Sequence, residues 1–171
     1  MRGLFELSNA AWEEIIPALN ISPRELFAGN QAAYDAALTY LRVAGTWDDL
    51  IDGDKVVSHA EIHYSYIAIL IDLNKNPFYL QFKPQIDALV TTAVLGYLTA
   101  NVYENTQDEH GIELGHFLRY SGALIVGYIV YLCHGFPSAV TMWPTLMKAL
   151  CNDRFDHYVA EILSRGAGDA G

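Results

Sequence analysis

The stretch SGALIVGYIVYLC, residues 121 to 133, runs for thirteen residues without a charge, between Arg119 and His134, and is followed by Gly135 and Pro137. As a helix it rises only about 20 Å, short of the ~30 Å hydrocarbon core of a bilayer. A helix that is apolar on every side is stable in water only when other helices surround it. This one run therefore predicts a bundle built around a central helix near residues 117 to 134, and the remaining sequence has to supply the surrounding elements.

Helical signals do recur along the chain. Ser8 or Asn9 is placed to cap a first helix carrying Trp12, Ile15, Ile16 and Leu19. Ser22-Pro23 has the cap-then-proline order of a helix start. Asn30 opens a longer helix in which Tyr34, Leu38 and Leu41 recur at helical spacing, with Gly53 placed to end it. Ser58 and Glu61 form an S-x-x-E capping box. Asn76-Pro77 and Lys83-Pro84 mark a connector, and a helix is expected from about Pro84 to Asn105. Asp108 is positioned to cap the next helix, which is expected to continue to His134. After a break at Gly135 to Ser138 come AVTMWPTLMKAL, ended or kinked by Pro144, and a last helix, CNDRFDHYVAEILS. No stretch alternates as a strand would. The prediction is an all-α, single-domain helical bundle of about seven or eight helices over residues 1–164. The tail, 165–171, has no core-forming residue and is expected to be disordered.

Composition narrows the function classes. The 171 residues are 52% hydrophobic and 18% charged, with a formal net charge of −10. Such a charge disfavours nucleic acid, which is bound by neutralising phosphates, and it disfavours an anionic membrane leaflet. Cys133 and Cys151 show neither C-x-x-C nor zinc-ligand spacing, and are expected as buried free thiols. The N-terminus lacks a continuous apolar signal-peptide core, which gives an expectation of cytoplasmic location without a membrane. The apolar excess also suggests a homodimer.

The unusual polar feature is TWDDLIDGDK, residues 46 to 55, with Asp48, Asp49, Asp52 and Asp54 within seven residues. On a helix Asp48 and Asp52 share a face, and Asp49 and Asp52 are neighbours. Carboxylates on adjacent turns repel one another unless a cation neutralises them. Mg2+ suits such a place, because it takes one or two carboxylates and completes its shell with water and phosphate oxygens. The alternative is a solvated, acidic helix end.

The string DDLID fits D-D-x-x-D and resembles the aspartate-rich motif of the class I isoprenoid synthases, the terpene cyclases and trans-prenyltransferases. That all-helical family holds magnesium against a substrate diphosphate. It has a second metal motif on a facing helix, with ligands at i, i+4 and i+8. At that spacing the last helix here offers Asp153, His157 and Glu161, with histidine where the family has serine or threonine. The resemblance therefore implies a metal set of Asp48, Asp49, Asp52, Asp153, His157 and Glu161. Arg42, Arg119 and Arg154 are the candidates for gripping diphosphate.

Other constellations are smaller. His59 and His63 are four apart, without a third ligand. Glu109, Glu113 and His116 lie along one helix, and Glu113-x-x-His116 matches half of a di-iron carboxylate site whose second half the chain lacks. Together with Arg119 and Tyr120 these residues are candidates to line a polar ligand pocket. The eleven tyrosines serve either as core with hydrogen-bonded hydroxyls or as an aromatic wall. No nucleophile elbow or glycine-rich phosphate loop is present. Two functions follow as expectations. One is a small helical protein with a divalent-metal site that binds or acts on a diphosphate-bearing ligand. The other is a non-enzymatic acidic protein, an adaptor, inhibitor or assembly factor, that binds a basic protein partner.

Overall fold

A computed structural model describes residues 21–53, 55–106, 108–151 and 154–168, apart from the side chains of residues 52, 161 and 164–168. Every regular element among the described residues is helical: α1 (Pro23–Leu26), α2 (Gln31–Asp52), α3 (His59–Ile67), α4 (Pro77–Thr106), α5 (Glu109–Arg119), α6 (Ser121–His134), α7 (Phe136–Leu150) and α8 (Phe155–Gly168). The all-α expectation holds, but the expected count of seven or eight is reduced to about six. α1 is a single turn, and α3 runs nine residues before it widens into a π-helical turn, Ala68–Asp72, and a 3-10 turn, Leu73–Lys75. The side-chain amide of Asn74 donates to the carbonyls of Ile69 (2.9 Å) and Leu70 (3.3 Å), serving two acceptors of the widened turn.

The local chemistry explains the boundaries. Ser22 and Ser58 both close capping boxes, with Glu25 and Glu61 respectively. Asn30 accepts from the Ala33 amide at 3.1 Å, and α2 stops at Gly53, whose φ of 71° favours glycine. Asp108 accepts from the Gly111 amide at 2.8 Å to start α5. Four boundaries differ from expectation. The connector before Pro84 is helical: α4 begins at Pro77 and passes a kink at Phe82 (φ −112°, ψ 18°), the residue two before Pro84. The helix expected to run from Asp108 to His134 is broken at Tyr120, where ψ opens to 7°. Pro144 does not end α7, which continues to Leu150. α8 carries helical backbone through Gly168, into the segment expected to be disordered. The expected first helix near Trp12 lies outside the described residues.

α6 is the centre of the bundle. It packs against α2, α4 and α7, and buries Ala123, Ile125, Val126, Ile129 and Val130. Burial of each larger aliphatic side chain contributes roughly 1.5–3 kcal/mol. α2 supplies Ala33, Ala36 and Ala37, small residues that admit a close neighbour, while α1 closes one end with Leu26 and Phe27. α4 and α5 form an antiparallel hairpin, and α8 packs on α5 through Tyr158 and Ile162 beside Ile112. Gly127 takes the face of Trp143: a β-carbon there would sit 2.6 Å from the ring. Gly122, on the same helix, faces open space.

Candidate functional site

The aspartates lie at the C-terminal end of α2, where Trp47 stacks on Tyr97 of α4 with ring centroids 4.5 Å apart. That contact brings Asp48 to the last residue of α5, Arg119. The guanidinium is the hub of the corner. Its Nε and Nη2 each donate at 2.7 Å to the two oxygens of Glu104, its Nη1 donates at 3.3 Å to Asp48, and its plane lies 4.4 Å from the Tyr97 ring centroid. Glu104 is only 9% exposed and the Arg119 side chain 14%. The fork is thus a buried, charge-assisted pair of the kind arginine geometry favours. Tyr158 of α8 donates to the same Glu104 carboxylate at 2.5 Å. Burial, and then the bond to that carboxylate, push the Tyr158 hydroxyl well above the usual tyrosine range.

Four helices therefore meet in one polar chain: Asp48 of α2, Arg119 of α5, Glu104 of α4 and Tyr158 of α8. Among the described residues, two carboxylates, those of Glu104 and Asp48, share this guanidinium. Asp49 pairs with Lys55 at 3.5 Å near the surface. One turn below Arg119, the His116 ring sits among Tyr158 (4.9 Å), Tyr120 (5.3 Å) and Phe155 (5.4 Å). Its Nε2 is buried without a hydrogen-bond partner among the described residues.

The predicted residues divide accordingly. Asp48, Arg119, His116 and Tyr120 are drawn to this corner. Asp49 stands at its rim. Asp52 is the last residue of α2 and Glu161 lies on α8, but their side chains, and all of Asp153, are outside the described residues. His157 is exposed on α8, and Glu109 and Glu113 are exposed on α5, with Glu113 3.5 Å from His110 rather than beside His116. His59 and His63 are exposed on the first turns of α3. Of the three candidate arginines, Arg42 lies over Tyr64 and Arg154 pairs with Asp156, so among the described residues only Arg119 reaches the acidic motif. Among the described residues no three of His, Cys, Asp and Glu are gathered as a metal set. Both cysteines are free and half-buried, and burial raises their thiols, Cys133 to about 11.

Two functional residues escaped the sequence reading. Glu104 had a signal: it ends the sixteen uncharged residues from Ala88 to Tyr103 on a helix otherwise committed to packing. Tyr158 had none that set it apart from ten other tyrosines. A surface hollow of about 460 Å³, bordered by Gln31, Asp35, Asp72 and Lys75, lies near the opposite end of α2 from Asp48, so this concavity and the charged corner do not coincide. Comparison of the chain with protein-family models, with curated proteins and with solved structures finds no match.

Proposed function

We propose that the corner formed by the end of α2, the end of α5 and α8 binds a small diphosphate-bearing ligand together with a divalent cation, taken as Mg2+. The observation that carries this reading is Arg119, a single buried guanidinium to which both motif-bearing helices, α2 and α8, are tied: α2 directly through Asp48, and α8 through Tyr158 and Glu104. Its described bonds are unequal. Glu104 fixes the guanidinium plane with two bonds at 2.7 Å, whereas the 3.3 Å bond to half-exposed Asp48 is the weaker one and is open to exchange. A phosphate oxygen can replace Asp48 on Nη1 without disturbing the fork, and this releases the Asp48 carboxylate to the cation with Asp49 and Asp52. Held by these carboxylates, a divalent cation would neutralise the diphosphate charge and would supply Lewis-acid chemistry there. The choice of diphosphate rests on the likeness of DDLID to the class I isoprenoid synthase motif, and the proposed ligands of the second motif are His157 and Glu161 of α8 together with Asp153, which precedes that helix. Calorimetric titration with magnesium pyrophosphate tests the reading. Binding to the natural chain and its loss in the Asp48→Asn, Asp52→Asn double variant support it, and equal heats from both reject it.

A second reading has its own observation. Asp48 and Asp49 each already face a cation, Arg119 or Lys55, as in an acidic surface that needs no metal. On that reading the chain is a cytoplasmic, non-enzymatic interaction protein for a basic partner, recognised by association that weakens steeply with salt.

A further inference from the structure

Among the described residues, three buried polar atoms have no hydrogen-bond partner: Oγ of Ser65, Oδ1 of Asn101 and Nε2 of His116. A group sealed from water without a partner loses its hydration and gains nothing in return, so each calls for a physical reason. The His116 ring is enclosed by Tyr120, Phe155 and Tyr158. Asn101 differs, because the helix register places it within the Arg119 corner.

Tyr97, Asn101 and Glu104, spaced by four and then three residues, form one stripe along α4. Arg119 touches both ends of that stripe. Its guanidinium lies 4.4 Å from the Tyr97 ring centroid and forks Glu104 with two bonds at 2.7 Å. Asn101 is the middle residue, on the face where Trp47 stacks on Tyr97 and α2 brings Asp48 to Arg119. Its Oδ1 nonetheless accepts from none of the Arg119 nitrogens, which are turned to Glu104 and Asp48. Nor is the carboxamide spent on the helix itself. Asn105 takes only the main-chain carbonyl of Asn101, at 2.9 Å. The three threonines of the uncharged run from Ala88 to Tyr103 return their hydroxyls to the carbonyls of Asp87, Ala88 and Leu95, whereas Asn101 leaves its oxygen unused.

An amide oxygen takes a hydrogen-bond donor or a hard cation. Carboxylate, carbonyl and water oxygens together are the shell that Mg2+ and Mn2+ prefer. A neutral oxygen also adds no charge to a corner that already holds the Glu104 and Asp48 carboxylates, so it does not increase their repulsion when no cation is bound.

We infer that Asn101 is a further ligand of the cation, its Oδ1 supplying from α4 a neutral oxygen beside the carboxylates of α2. The inference rests on the metal reading given above, and it accounts for a buried acceptor that the ion-pair network leaves unused. The structure of the chain without metal does not need this oxygen, so removing it should cost binding and spare stability. A side chain kept for folding would show the opposite pattern.

Calorimetric titration with magnesium pyrophosphate, beside urea denaturation of the metal-free chain, tests this on Asn101→Leu and Asn101→Asp. Circular dichroism checks that each folds, and Asn101→Ala replaces the leucine variant if leucine does not fit. Ser65→Ala is the control: it removes a sealed oxygen on α3, where the adjoining Tyr64 packs on Arg42 rather than on the corner. The expected result for Asn101→Leu is binding weakened by about tenfold or more, the loss typical when a metal site is altered, with a urea midpoint no lower than that of the natural chain. Asn101→Asp keeps an oxygen in place and should retain binding, and Ser65→Ala should leave binding unchanged. Absence of binding to the natural chain overturns the metal reading and this inference together. Binding lost in the Asp48→Asn, Asp52→Asn double variant but kept in Asn101→Leu overturns this inference alone. Binding lost in both Asn101→Leu and Asn101→Asp also overturns it, because a carboxylate that repels the ligand marks position 101 as a donor to phosphate. A lowered urea midpoint for Asn101→Leu with unchanged binding assigns the oxygen to a structural water and overturns it as well.

Discussion

Replacing Glu104 with glutamine removes one charge from the polar corner and keeps its shape. The structure sets the cost. Both carboxylate oxygens accept from Arg119 at 2.7 Å, and one also accepts from Tyr158. An amide offers one oxygen and one NH2, so one fork bond is lost and a donor is turned against Nη2 or Nε. The guanidinium stays largely buried, and its described support is reduced to the surviving fork bond, the 3.3 Å contact to Asp48 and the Tyr97 ring. Breaking one partner out of a buried pair typically costs 3–5 kcal/mol, and the residual support places Glu104→Gln near ~3 kcal/mol. That is a large share of the ~5–15 kcal/mol that holds a domain together. Urea denaturation reads it as a lowered midpoint at constant slope. A second variant separates the charge from the packing: adding Arg119→Met to Glu104→Gln removes the stranded cation, and should recover most of the loss. A loss below about 0.5 kcal/mol for Glu104→Gln, or a double variant worse than the single by the full cost of each change, refutes the claim that the fork organises this corner.

Helix α6 provides paired glycine tests. Alanine gains ~1 kcal/mol over glycine in a helix interior, and at Gly122, in the first turn of α6 where space is open, part of that gain should appear as added stability. At Gly127 the new β-carbon meets the Trp143 ring at 2.6 Å, so overpacking of ~1–3 kcal/mol should outweigh it, and the same denaturation curve should move the other way. Ile129→Ala should cost ~2–5 kcal/mol, as cavity-forming changes do. Tyr158 predicts an alkaline limit. Its folded hydroxyl ionises above the ordinary tyrosine value, so the stability it contributes is complete below pH ~10 and is lost as pH rises through the folded value. Thermal midpoints should fall above pH ~10, and less steeply in Tyr158→Phe.

Short-range chemistry was the most legible part of the sequence. Ser22, Asn30, Ser58 and Asp108 act on amides within three residues, so their roles as caps needed no tertiary information. The apolar run also identified its own place, since only the centre of the bundle buries Ile125, Val126 and Ile129 together. What failed depended on neighbours distant in sequence. Gly122 and Gly127 look alike in sequence, and only the position of Trp143 tells them apart. The break at Tyr120 falls where α5 turns Arg119 toward Glu104 and Asp48, partners 15 and 71 residues away. The acidic motif was visible, but its cation was not. Arg119 was one arginine among several, and nothing local distinguished it from Arg42 or Arg154.

The central claim is that the end of α2 takes a divalent cation with a diphosphate. Anomalous diffraction from crystals grown with Mn2+ and pyrophosphate tests it most directly, because Mn2+ accepts the same oxygen-rich octahedral shell as Mg2+. The account predicts a peak at the carboxylates of Asp48, Asp49 and Asp52, with pyrophosphate bridging to Arg119 and the Arg119–Glu104 fork intact. A bound cation elsewhere, or none at millimolar Mn2+ with Asp48 still on Arg119, contradicts it.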